Sequence, residues 1–261
     1  MFALSSTHSV PANDLVREFF THADENPHGW GLADFSTREP ALIRTAQSAL
    51  ESERAQQLLD KPLALSNALV HIRNATVGPV EDDNCHPFMA LDTSGRRWTL
   101  IHKGTVFDYS PLNPYFSIQV GSTDSERILL YLIDRLNLAI TQKGAPLEGE
   151  ERFALFAHVC RDISPGACLN LIVFDSDEFF IHTNYKDAIR VLAGKGIALF
   201  CTSALQAAAH MLPEQKWMDV PLCTAFSYKG GVRIRSGRPH SYEYFDNEED
   251  TRFLYQDYAG L

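Results

Sequence analysis

Two helix-forming stretches stand back to back in the middle of this chain, with strand-like runs on both sides, and that order most constrains its fold. In TDSERILLYLIDRLNLAITQKG, Thr123 is a natural N-cap, Glu126 completes a capping box and Gly144 is the stop. Ile128, Leu129, Leu132, Ile133, Leu136 and Ile140 recur at helical spacing. GEERFALFAHVCRDI predicts the second helix. Ahead of this pair, FALSS from Phe2, WGLADFS from Trp30, ALIRTAQ from Ala41, ALVHIR and WTLIHKGTVF read as strands, with SALESERAQQLL as a helix among them. After it, ACLNLIVFDSD, FFIHTN, GIALFCTS and CTAFSYKGGVRIRSG read as strands again, and Gly230-Gly231 suits a hairpin turn. The acidic tail DNEEDTRFLYQDYAGL predicts a closing helix. Strands, a helical pair, then strands argue for two β-sheets flanked by helices, an α+β chain, and against alternating βαβ units. Nothing reads as a linker or a repeat, so one domain over residues 1–261 is expected.

The balance of 23 Lys and Arg against 33 Asp and Glu gives a formal charge of -10, which argues against nucleic acid as a partner. No apolar run is long enough to cross a bilayer and no signal sequence opens the chain, so no membrane association is expected. Cys85, Cys160, Cys168, Cys201 and Cys223 are odd in number and form no CxxC pair. Reduced thiols in a cytoplasmic protein are the simplest reading, with no metal site. The dinucleotide fingerprint and the P-loop lysine motif are both absent.

Four clusters carry chemistry: His28-Gly29-Trp30-Gly31, the run from Arg73 to His86, His102-Lys103-Gly104, and Thr123-Asp124-Ser125-Glu126. Each sits at an element end, where sites usually form. Taken singly, each has a structural explanation. Arg73 can pair with Asp82 or Asp83 across a turn, Asp124 favours a helix N-terminus, the glycines suit tight turns and Trp30 suits a core. Cys85-His86 looks like a thiol protease dyad, but neighbours on an extended chain point to opposite faces.

Taken together, NPHGWGLADF, HIRNATVG, NCHPF, WTLIHKGT and GSTDSERIL resemble, in order and separation, the class II glutamine amidotransferases, which are N-terminal-nucleophile hydrolases. The stand-alone bacterial branch is the nearest in pattern, and HTNYKD, PLCTAFSYKGG and DNEED followed by YAGL extend the resemblance over nearly the whole chain. The resemblance implies a four-layer αββα sandwich of two mostly antiparallel sheets. It implies hydrolysis of the side-chain amide of glutamine or a γ-glutamyl compound through a cysteinyl thioester, without metal or organic cofactor. Arg73 would clamp the substrate α-carboxylate and Asp124 its α-ammonium. Thr76 and His86 would line the same pocket, with Gly29 and Trp30 passing backbone close to the amide. An ammonia-accepting partner protein would be needed if glutamine is the substrate.

Two departures stand against the family pattern. Its nucleophile is an N-terminal cysteine, and this chain begins Met1-Phe2-Ala3-Leu4. The resemblance expects cysteine, a polar residue and leucine before Phe2, with Met1 on the leucine position. A start codon placed late explains this, or a genuine loss of the nucleophile. Lys103 stands where the family has asparagine, whose amide joins the Gly104 N–H in the oxyanion hole. The rival expectation is an inactive glutaminase-like binding or regulatory module.

Overall fold

The computed structural model describes residues 1–37 and 39–246. The closing helix expected in the acidic tail lies outside the described residues after Asp246. The first strands are β1 (Phe2–Pro11), β2 (Trp30–Asp34), β3 (Ala41–Thr45), β4 (Ala64–Ile72), β5 (Phe88–Leu91) and β6 (Arg97–Val106). The later ones are β7 (Ala167–Phe174), β8 (Phe179–His182), β9 (Arg190–Gly194), β10 (Ile197–Cys201), β11 (Met218–Asp219), β12 (Phe226–Lys229) and β13 (Val232–Ser236). The helices are α1 (Asn13–Thr21), α2 (Glu53–Leu59), α3 (Asp124–Lys143), α4 (Gly149–Ile163) and α5 (Ala207–Met211).

Two sheets form, in the orders β11-β9-β10-β1-β4-β2-β3 and β13-β12-β8-β7-β6-β5. Every paired neighbour is antiparallel. The period-two alternation of β1 decides what each face touches. Phe2 and Leu4 join Leu15, Val16, Phe19 and Phe20 of α1 in one buried cluster. Met1 and Ala3 face the other way, into a cluster shared with Ile101, Ile172 and Phe179 of the second sheet. On the far side, Ile128, Leu132 and Leu136 of α3 and Phe156 of α4 close a third cluster over Leu100 and Leu171. Three apolar layers between four structural layers make the αββα sandwich. Fully burying a Phe or Leu side chain contributes about 1.5–3 kcal/mol.

The central helices end as their residues dictate. The Thr123 hydroxyl accepts from Glu126 N, and Gly144 takes the left-handed conformation at the C-terminus. The Glu126 carboxylate reaches back to Val120 N at 2.8 Å and Gly121 N at 2.9 Å, so it ties down the preceding loop where a capping box would have closed on Thr123. Helix α1 and strands β5 and β9 were not among the elements expected from sequence.

Candidate functional site

β1 lies between β10 and β4 in the first sheet, running antiparallel to both. Its start therefore meets the ends of those two strands, at Phe2↔Cys201 and Phe2↔Val70. In the second sheet the end of β6 lies beside the start of β7, with Lys103 opposite Asn170 and Thr105 opposite Cys168. A cavity of about 690 Å³ opens where these ends face each other. Met1, Arg73, Thr76, His86, Lys103, Gly104 and Asp124 line it.

The strand of β4 carries straight into Arg73, whose N–H donates to Gly29 O at 2.7 Å. Its guanidinium is buried and directs three N–H groups at the loop that follows: Val77 O at 3.0 Å, Gly78 O at 2.9 Å and Pro79 O at 2.9 Å. The reading that pairs Arg73 with Asp82 or Asp83 is thereby corrected. Asp83 stands 3.9 Å from Arg44, and the Asp82 carboxylate accepts from Ala46 N.

Asp124 is the first residue of α3 and is buried. Its Oδ2 accepts from Val106 N at 2.8 Å, and its Oδ1 accepts from Ser125 N at 2.8 Å. Ser125 Oγ connects it to His102 Nδ1 at 2.9 Å. The carboxylate is thereby fixed between the end of β6 and the start of α3.

Gly104 adopts φ +146, and a Cβ there would lie 1.8 Å from Cys168 O. Only glycine allows β7 to approach this closely. Lys103 is exposed at the cavity wall, and its carbonyl accepts from Asn170 Nδ2 at 2.7 Å.

Three histidines meet beneath this wall. The rings of His71 and His86 stack with centroids 4.2 Å apart, and His71 Nε2 donates to His102 O at 3.2 Å. Both ring nitrogens of His86 and Nδ1 of His71 have no hydrogen-bond partner among the described residues. Burial pushes the pKa of all three below the ordinary histidine value. They are neutral at pH 7. The amine of Met1 is also in this cavity, donating to Thr202 Oγ1 at 3.2 Å. Burial lowers its pKa to about 5, opposed by Cys201 and reinforced by the Lys103 charge.

Two expected pocket residues stand elsewhere. Gly29 and Trp30 are not among the residues lining the cavity. Gly29, at φ +126, packs against Cys85 and Thr45, and its carbonyl positions Arg73. Trp30 is fully buried against Phe20 because its large apolar ring belongs to the helix-facing core. Cys85 is also not on the cavity wall; its thiol donates to Thr45 O at 3.2 Å, and burial raises its pKa to about 11. The thiol that does line the cavity is Cys168.

Sequence reasoning missed the outer wall, made by Phe107, Tyr185, Tyr244 and Asp246. It also gave no role to His71 and His102, which sit inside the HIR and HKG motifs. All five cysteines are free thiols. No helix among the described residues is long and apolar enough to cross a membrane, and no group of three or more His, Cys, Asp or Glu among them is arranged to hold a metal ion.

With this geometry in place, the family model for glutamine amidotransferases class-II matches residues 16–201. A Haemophilus influenzae protein is 27% identical over 159 residues, covering 61% of this chain and 53% of its own. YafJ of Escherichia coli is 32% identical over 112 residues, covering 42% of this chain and 44% of its own. The chain thus matches about half the length of these curated relatives. Among solved structures, a predicted glutamine amidotransferase from Pseudomonas aeruginosa aligns with TM-score 0.62 at 18% identity, over 90% of this chain and 98% of that one. Glutamine phosphoribosylpyrophosphate amidotransferase from B. subtilis aligns with TM-score 0.63 at 14% identity, over 91% of this chain and 48% of that one.

Proposed function

The chain belongs to the class II glutamine amidotransferases, and we propose that its cavity binds glutamine or a γ-glutamyl compound and cleaves the side-chain amide through a cysteinyl thioester. One observation carries this reading. Arg73, Thr76, His86, Lys103, Gly104 and Asp124 come from separate segments yet line the same cavity that receives the start of β1.

Each residue has a task in this reading. Asp124 takes the α-ammonium, its two oxygens already oriented by Val106 and Ser125. Arg73 takes the α-carboxylate with its planar guanidinium. The loop contacts hold the guanidinium in place before substrate arrives, which lowers the cost of binding. The buried, neutral His86 and the Thr76 hydroxyl complete the pocket. The amide oxygen sits at Gly104 N–H, with the Lys103 ammonium as the second donor for the charge that develops there.

The nucleophile is a cysteine two positions ahead of Met1. Side chains two apart on a strand share a face. Such a cysteine shares the face of Met1, which is buried between the sheets, and lies roughly 6.6 Å further along. Its α-amino group serves as the base. The sulfur bonds to the amide carbon, the C–N bond breaks, and the thiol proton passes through the amine to the leaving ammonia or amine. Water then adds to the thioester and releases glutamate, returning the thiol.

Lys103 favours a second reading, a binding module that recognises the glutamyl group without cleaving it, since it occupies an asparagine position. The deciding experiment extends the chain so that a processed N-terminal cysteine stands three residues before Phe2. Glutamate release from glutamine, lost on Cys→Ser at that position, supports the enzyme. Saturable glutamine binding without release, in both the cysteine-extended protein and its Lys103→Asn variant, supports the module.

A further inference from the structure

Thr183 and Asn184 of the HTNYKD stretch are buried and are not among the residues lining the cavity, yet both hold the strand that carries part of its wall. Asn184 Oδ1 accepts from Leu169 N at 2.7 Å and its Nδ2 donates to Ala167 O at 2.9 Å, which fixes the start of β7 on both sides of Cys168. The Thr183 hydroxyl donates to Asn170 Oδ1 at 2.6 Å. Asn170 is fully buried, and its Nδ2 donates to Lys103 O at 2.7 Å and to Cys168 Sγ at 3.4 Å. Chemistry forces this orientation of the amide. A carbonyl does not donate, so the NH2 meets Lys103 O and the Asn170 oxygen meets the hydroxyl.

Lys103 O belongs to the peptide group that also carries Gly104 N–H, the donor assigned above to the substrate amide oxygen. In a trans peptide these two bonds are coplanar and point in opposite directions. Holding the carbonyl against β7 therefore directs the N–H away from β7. On that other edge β6 is paired with β5 over Arg97–Leu100, and beyond it His102, Lys103, Gly104 and Thr105 line the cavity. Gly104, at φ +146 and without a Cβ, does little by itself to select one orientation of this peptide plane. The hold has to come from a neighbour, and Asn170 supplies it. Thr183 O–H, Asn170 Nδ2–H and Gly104 N–H then form a buried series in which each donor polarises the next.

We propose that Asn170, held by Thr183, is a positioning residue that orients and polarises the Lys103–Gly104 peptide, so that Gly104 N–H meets the oxyanion formed when the glutamyl amide is attacked. This rests on the glutaminase reading above and adds two residues to it. Both act through the peptide group and not on substrate. Their effect is largest where negative charge develops, in the transition state, so it falls on kcat and largely spares KM. Losing an oxyanion donor outright costs about 100- to 1000-fold in rate. Loosening one costs less, roughly 10- to 100-fold.

Steady-state glutamate release from glutamine by the cysteine-extended protein tests the proposal. Asn170→Ala should lower kcat roughly 10- to 100-fold with KM within about threefold of the parent. Thr183→Val, which keeps the shape and removes the O–H, should lower kcat roughly 3- to 10-fold, the worth of one hydrogen bond. Thr183→Ser keeps the O–H and should stay within about twofold of the parent. The Thr183 pair decides alone if Asn170→Ala does not fold. Parent-level kcat in Thr183→Val, equal losses in Thr183→Val and Thr183→Ser, or a loss carried entirely by KM overturns the positioning role and leaves the glutaminase reading standing. An extended parent that releases no glutamate overturns the glutaminase reading and the positioning role with it.

Discussion

Replacing Asp124 with asparagine separates the structural work of this residue from its proposed work on substrate. Its two oxygens accept from different donors, Val106 N on one side and Ser125 N on the other. An asparagine offers one oxygen and one NH2. Either way round, the NH2 faces an N–H donor, and one buried backbone N–H loses its acceptor at about 1–3 kcal/mol. Removing the negative charge from the first turn of α3 costs roughly another 0.3–1 kcal/mol. The sum is about 1–4 kcal/mol, which at ~2–4 °C per kcal/mol for a domain near this size lowers Tm by roughly 3–15 °C. Thermal unfolding followed by circular dichroism reads that loss. Glutamine titration below the transition reads the second effect, a loss on the order of 10- to 150-fold from the missing charge-assisted contact. A variant that melts within a degree of the parent and binds glutamine as well would refute both parts of the reasoning.

Other outcomes follow from the same geometry. Gly104→Ala should separate β6 from β7, because its Cβ falls 1.8 Å from Cys168 O, and cost about 2–5 kcal/mol in chemical denaturation; an unchanged midpoint would contradict the close approach. Cys85→Ala in the cysteine-extended protein should leave turnover within a few-fold of its parent, since this thiol is buried against Thr45 O; loss of turnover would restore the Cys85-His86 dyad. Stability should fall on acidification through buried histidines, His182 being held at about 3 by burial and by His240. The unfolded chain takes up the proton near pH 6.5 and the folded one does not, so this contribution is complete above about 6.5 and declines towards about 3, by up to ~1.4 kcal/mol per pH unit per fully buried group. Equal denaturation midpoints at pH 7.5 and 5.5 would count against it.

How far the sequence reached depended on whether the deciding information was local. The two central helices were legible because capping residues and helical spacing are written within twenty or so positions, as at Thr123 and Gly144. The side chain of Glu126 was misjudged because its partners, Val120 and Gly121, lie in a loop whose path no spacing rule gives. Strands β5 and β9 were missed because four- and five-residue runs carry too little periodicity to separate from loops. Helix α1 is a different case: Leu15, Val16, Phe19 and Phe20 do mark an apolar face. It went unread because it carries no side-chain cap.

The site divides in the same way. Arg73, Thr76, His86, Gly104 and Asp124 were found through ordered motifs, and each lines the cavity. Gly29 and Trp30 belong to the same motifs but act one layer back, behind Arg73 and in the core, a distinction set by three-dimensional packing. Cys168, Tyr185, Tyr244 and Asp246 reach the cavity only through the register of β6 on β7 and the return of residues 238–246.

A crystal structure of the 261-residue chain with L-glutamine bound would test the central claim most directly. The account predicts one ligand in the cavity, its α-carboxylate ~3 Å from the Arg73 guanidinium, its α-ammonium on Asp124 and its amide oxygen at Gly104 N–H. Glutamine held with its charged ends away from Arg73 and Asp124, or a cavity left empty at saturating glutamine, would contradict it.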